Sequence, residues 1–192
     1  MRIVYIHGAN ATTASFNYIR EKITVSDTPL SYDSARGFAN NLADMLPTVQ
    51  RLRGPIFFVA HSLGGVYALH LAQSVRDQVA GAVTLSTPYG GSREADMVKM
   101  FLPSSQLMRD IGPSSEPMTA VAGMTVPDNW TNIVTTQGNN PFIPAANDGV
   151  VTEDSMRALS DRMRLIELDL NHYEVVLSPR VVKIIQRHVD RV

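Results

Sequence analysis

Phe58-Val59-Ala60-His61-Ser62-Leu63-Gly64-Gly65-Val66-Tyr67-Ala68-Leu69 is the stretch on which the reading of this chain turns. An apolar run enters a tight turn and opens without a linker into a second apolar segment with helical spacing, so it predicts a strand, a sharp bend and a helix. Strand and helix backbones nearly touch at such a bend, and the positions two residues either side of its centre must be small. Ala60 and Gly64 meet that demand around Ser62. The bend strains the backbone of its central residue and lifts the Ser62 hydroxyl above the edge of a sheet. The Leu63 amide, at the start of the helix, faces the place where a negative oxygen would sit.

Working outward, short β-branched and aromatic runs alternate with longer helical patterns, as expected of βα units stacked into a parallel sheet. Six strands are expected, at Arg2 to Ile6, Leu30 to Asp33, Pro55 to Ala60, Gly81 to Ser86, Asn132 to Thr136 and Arg164 to Leu168. Ile56-Phe57-Phe58-Val59, Ala82-Val83-Thr84-Leu85 and Ile133-Val134 are almost continuously apolar, which places them at the centre of a sheet covered on both faces. Helices are expected at Ala14 to Ile23, Ala35 to Leu46, Gly64 to Val75, Val151 to Ser160 and Pro179 to His188. Pro47 is expected to end the second, and Ser178-Pro179 to cap the last. Residues 88–130 and 137–149 resist the βα pattern, and both follow the C-terminal ends of expected strands, where parallel sheets place their sites.

The bulk composition narrows the function. A length of 192 residues with 44% hydrophobic side chains suits one domain over 1–192. Seventeen Lys and Arg against 18 Asp and Glu leave a net charge of -1, which supplies no field for a nucleic acid. The absence of cysteine removes thiolate catalysis, disulfides and Cys-based metal sites, so a covalent nucleophile must be oxygen or nitrogen. Residues 1–6 lead straight into a His-Gly turn without a leader pattern, and no apolar run approaches membrane-spanning length. A cytoplasmic protein without stable membrane insertion, metal or cofactor is the expectation.

A serine hydroxyl needs a base to take its proton, and five histidines compete for that role. His61 adjoins the serine on the turn, where its side chain is expected to point away from the attacking face. His70 lies along the following helix, packed or solvated below the site. His188 sits near a charged run on the last helix, where a solvent-exposed face is expected, and His7 precedes the serine on another loop. His172 remains, on a short loop after the strand Arg164-Leu165-Ile166-Glu167-Leu168, downstream of the acid candidates as the chain order serine, acid, histidine requires. For the acid, Asp148 in Ala145-Ala146-Asn147-Asp148-Gly149-Val150-Val151 is preferred, with Glu153 and Asp154 as alternatives in the first turn of the next helix, where acids commonly complement the helix dipole. The interval 172 − 148 = 24 residues leaves room for one helix and one strand, returning both residues to the same sheet edge. After the first strand, Ile6-His7-Gly8-Ala9-Asn10-Ala11 offers the Ala9 amide as a second oxyanion donor opposite Leu63.

These pieces together resemble the α/β-hydrolase superfamily, and within it the small bacterial lipases of minimal size. The resemblance rests on His7-Gly8, Ala60-His61-Ser62-Leu63-Gly64-Gly65, Ser86-Thr87-Pro88-Tyr89-Gly90-Gly91-Ser92, Asn147-Asp148-Gly149-Val150-Val151, and His172 running on to Val175-Val176-Leu177-Ser178-Pro179. The family pattern is G-x-S-x-G; Ala60 replaces its first glycine, as those small lipases also allow. What the resemblance implies is a single-domain α/β-hydrolase fold, a mostly parallel sheet with helices on both faces and no large cap. It also implies hydrolysis of an acyl ester or lipid through an acyl-enzyme, without a cofactor. Residues 88–130 leave room for a short lid at most, and Met97, Phe101 and Met108, with Asn10, are the expected substrate contacts. An acyltransferase, a thioesterase, or a ligand-binding relative that keeps the fold without the chemistry are the alternatives.

Overall fold

In the computed structural model, which describes residues 1–92 and 105–192, all six strands join one sheet. They are β1 (Arg2–Ile6), β2 (Asp27–Leu30), β3 (Ile56–His61), β4 (Val79–Leu85), β5 (Trp130–Thr135) and β6 (Arg164–Leu168). Their order is β2-β1-β3-β4-β5-β6, and every neighbouring pair runs parallel. The helices are α1 (Asn17–Lys22), α2 (Phe38–Arg51), α3 (Leu63–Ser74), α4 (Gln106–Ile111), α5 (Glu116–Gly123), α6 (Glu153–Met156) and α7 (Pro179–Val189).

Strand alternation builds the two layers. Val4 and Ile6 of β1 and Phe58 and Ala60 of β3 face α2, α3 and α5, where they meet Met45, Val66, Leu69 and Val121. Ile3, Tyr5, Phe57 and Val59 face the opposite way, against Phe16, Ile19 of α1 and the Val181, Ile185, Val189 stripe of α7. That i, i+4, i+8 spacing is one face of a helix, and Ser178 caps its start by accepting the Arg180 amide just before Pro179. All six residues of β3 and most of α3 are buried, so the strand–turn–helix segment is the centre of the molecule.

Local pattern erred where tertiary pairing decides. The second strand is Asp27–Leu30 and not Leu30–Asp33: β1 pairs Ile3 with Asp27 through Ile6 with Leu30, and Arg20 holds Asp27 at 2.7 Å. The first helical segment divides into a 3-10 turn over Thr13–Phe16 and α1. Pro47 lies inside α2 and does not end it. The carbonyl deprived of a partner belongs to Ala43; both residues are exposed, so water can serve that carbonyl, while Met45 and Val49 keep the buried face continuous across the proline. The helix expected over Val151 to Ser160 is confined to α6, capped by Thr152. Among the described residues no helix is long and apolar enough to cross a membrane.

Candidate functional site

Ser62 stands between β3 and α3 with φ 53° and ψ −127°, a left-handed backbone that a non-glycine residue adopts under compulsion. The compulsion is visible on both sides of it. The Ser62 amide donates to the Leu85 carbonyl at 2.8 Å, tying the turn to β4. Two residues on, a Cβ at Gly64 would lie 2.2 Å from the Ile6 carbonyl oxygen and 2.5 Å from that of His7, so only glycine lets α3 leave so close to β1. Leu63 is the first residue of α3, and its amide lies in the first turn, where helices leave donors without internal partners.

The loop after β1 closes over the same point. His7 Nδ1 donates to the Gly8 carbonyl at 2.8 Å, and the Ala11 amide donates to that oxygen at 3.3 Å. A trans peptide sets its N–H opposite its C=O, so fixing the Gly8 oxygen also fixes the direction of the Ala9 amide. His7 Nε2 accepts the Tyr32 amide at 3.3 Å, which makes this imidazole neutral with its proton on Nδ1. Burial holds its pKa below the ordinary histidine value, against the opposing pull of the Gly8 carbonyl.

Beyond β5 and β6, at the same strand ends as Ser62, Asp148 and His172 come together. His172 Nδ1 donates to Asp148 Oδ2 at 2.8 Å, and the His172 amide donates to the Asp148 carbonyl at 3.1 Å. Asp148 is 1% exposed and His172 3%, so the pair is removed from solvent. The amides of Val150 and Val151 fill Asp148 Oδ1, and the Thr135 hydroxyl donates to Oδ2 at 2.6 Å. Burial alone would raise this carboxyl; the bonds from His172, Thr135 and Val151 outweigh it and hold it below the usual carboxylate range. Glu153 and Asp154, the alternatives to Asp148, start α6 instead; Glu153 pairs with Arg157.

One cavity of about 300 Å³ gathers the turns. Ser62, Leu63, Ala9, Asn10, Met108 and His172 all line it, so these expected site residues share one space. Met97 and Phe101 lie outside the described residues. The rest of the wall is mostly apolar, with Pro88, Leu107, Ile111, Val150, Val151 and Val176, and no lysine, arginine, aspartate or glutamate among the described residues lining it. A larger hollow of about 520 Å³ between α2, α4 and α5 holds none of the residues above, and its wall carries Arg36, Arg109, Asp110 and Glu116.

Two histidines depart from expectation. His61 does not point away: it lines the cavity, its ring 4.8 Å from that of His172, and its Nε2 donates to the His172 carbonyl at 2.9 Å. Burial, reinforced by the neighbouring His172, lowers its pKa to about 3. His188 is half-buried, bonding Thr131 and the Ile184 carbonyl. His70 is packed as expected, against Phe38 and bonded to the Pro117 carbonyl. Sequence reasoning also missed Thr135 and Ser86, whose hydroxyls lie 2.7 Å apart at the ends of β5 and β4. Since Thr135 spends its proton on Asp148, Ser86 is the donor to Thr135. The signal available was position alone, a hydroxyl at the carboxyl end of each of two adjacent central strands.

The sequence matches the alpha/beta hydrolase family over residues 3–181. No curated protein matches it. Among solved structures, a metagenomic carboxyl esterase superimposes on all of this chain and 76% of its own, with a TM-score of 0.79 and 19% identity. A mature lipase of Bacillus licheniformis gives a TM-score of 0.72 at 15% identity, over 97% of this chain and 90% of that one. Methylketone Synthase I of tomato gives 0.65 at 11%, over 99% and 98%. At such identities the likeness speaks for the fold, and the family match covers nearly the whole length. The chain belongs to the alpha/beta hydrolase family.

Proposed function

We propose that this protein hydrolyses small, uncharged carboxylic esters through an acyl-enzyme on Ser62, with His172 as general base and Asp148 orienting it. The observation that carries the reading is the buried 2.8 Å bond from His172 Nδ1 to Asp148, made at the wall of the cavity that also holds the strained Ser62 turn. A proton fixed on Nδ1 leaves the Nε2 lone pair to take the proton of Ser62 as its oxygen attacks the ester carbonyl. The Ala9 and Leu63 amides stabilise the resulting oxyanion, and His172 returns the proton to the leaving alcohol. Water repeats the sequence, releasing the acid and restoring the serine.

The wall favours an apolar, neutral substrate, because among the described residues it presents aliphatic surface and no lysine, arginine, aspartate or glutamate to balance a charge on the ligand. Its volume lies at the small end of ligand pockets, which favours a compact ester. The fold relatives named as a carboxyl esterase and a lipase agree with this chemistry.

The test is reaction with a fluorophosphonate probe beside turnover of nitrophenyl esters of graded acyl length, on the wild type and Ser62→Ala. Labelling at Ser62 with steady ester turnover, both lost in Ser62→Ala, is the expected result. Labelling without turnover would move the reading to acyl transfer, and faster cleavage of matched thioesters to a thioesterase. An unlabelled wild type would leave a ligand-binding relative.

A further inference from the structure

We infer that His61 is a positioning residue for His172: its imidazole sets the distance between the Ser62 turn and the His172 loop by holding the His172 backbone carbonyl. This rests on the reading of Ser62 and His172 given above. A carbonyl oxygen only accepts, so the 2.9 Å contact requires the proton of His61 on Nε2. His61 is 6% exposed, and its ring is packed from the other side by the Gly8 loop, where an added Cβ would meet His61 Nδ1 at 2.9 Å. It therefore has little freedom to turn away from its acceptor.

The arrangement fixes His172 from two directions. Asp148 takes the His172 amide and Nδ1, which sets the imidazole relative to the loop after β5. Neither bond refers to β3. His61 is the residue immediately before Ser62, and its bond spans 111 positions of sequence to join the serine turn to the backbone of the base. Without it, Asp148 and His172 can shift together against Ser62 while keeping their own bonds intact. A misplacement of about 1 Å between reacting groups is enough to lower a rate by roughly a hundredfold.

The substitutions His61→Leu, His61→Asn and His61→Gln separate this role from packing. Glutamine reaches about as far as Nε2 and carries an N–H there; asparagine carries the same amide one bond short, and leucine fills space without a donor. For p-nitrophenyl butyrate, kcat is expected to fall about tenfold to a hundredfold in His61→Leu and His61→Asn, with KM within about twofold, and to return most of the way in His61→Gln. Amide hydrogen exchange across residues 169–176 is expected to rise in the first two and not in the third. Equal impairment of His61→Gln and His61→Leu, or exchange across 169–176 unchanged in His61→Leu, would overturn the inference. Should His61→Leu fail to fold, asparagine against glutamine carries the same comparison. Should the wild type neither turn over esters nor react with fluorophosphonate, the reading of the site falls by itself, and the exchange comparison alone decides whether His61 holds the loop.

Discussion

Asp148 holds His172 at two points, its carboxylate 2.8 Å from the ring nitrogen Nδ1 and its backbone carbonyl 3.1 Å from the main-chain amide. Double attachment fixes both the tautomer and the orientation of the imidazole, and only the first depends on the charge of Asp148. Asp148→Asn should therefore keep the backbone bond and the fold but present an amide where a carboxylate is needed. Ester turnover is expected to fall by roughly 10³–10⁴ with KM little changed, read by steady-state kinetics beside an unchanged circular dichroism spectrum. A loss under tenfold would show that the Asp148 carboxylate does not set the tautomer of the base.

Thr135 stands behind that carboxylate, donating at 2.6 Å to the oxygen that also serves His172. Thr135→Val keeps the shape and removes the donor, leaving a buried charge with one bond fewer and the Ser86 hydroxyl without its acceptor. Stability should fall by about 1–3 kcal/mol in urea unfolding, and kcat by about tenfold. Ser86→Ala, one step further out, should affect kcat less than Thr135→Val.

At Gly64 the demand is steric. A methyl group there would meet backbone oxygens of Ile6 and His7 at 2.2 and 2.5 Å, and backbone cannot rotate aside as a flexible side chain can. Gly64→Ala should lose about 3 kcal/mol or more, or fail to accumulate as folded protein. Gly123, at the end of α5 with nothing within 4 Å of an added Cβ, is the control, and Gly123→Ala should leave stability unchanged or raise it by up to about 1 kcal/mol. Thermal melts of both variants distinguish packing at the bend from a general intolerance of alanine.

Three histidines, His7, His61 and His70, have pKa values lowered in the folded state, each chiefly by burial. The unfolded chain then binds more protons than the native one, so stability contributed by keeping these rings neutral is complete above about pH 6.5 and is lost as pH falls through the folded values, about 3 for His61. Each such ring adds a slope of roughly 1 kcal/mol per pH unit within its own window. Asp148 adds a loss that begins as pH falls through the ordinary carboxylate value and continues down through its depressed folded value. Urea midpoints between pH 7 and 4 should decline for the wild type and less steeply for His61→Gln; parallel slopes would show that His61 is not neutral in the native protein.

Much of this was legible because chemistry and packing left the same mark. The Ala60-His61-Ser62-Leu63-Gly64 bend needs small residues for clearance and, on the function proposed above, a serine for reaction, and both demands are written locally. The meeting of Asp148 with His172 is legible from their places after strands, since the 24-residue interval between them holds α6 and β6. β2 was misplaced because its residues have weak strand character and take their register from β1. Pro47 misled because it lies on the exposed side of a helix whose buried stripe outweighs one missing bond. Thr135 and the direction of His61 are settled by distances across 13 and 111 residues, which no local pattern encodes.

The sheet order β2-β1-β3-β4-β5-β6, parallel throughout, has a kinetic consequence. No two neighbouring strands can join by a hairpin, so each pairing waits for a crossover to close, and contacts of this kind form slowly. The cavity wall draws on Gly8, Ser62, Pro88, Val151 and Val176, from segments that follow five of the six strands. During refolding the hollow is completed only when the last of those strands has docked, and recovery of probe reactivity should lag behind recovery of helical signal.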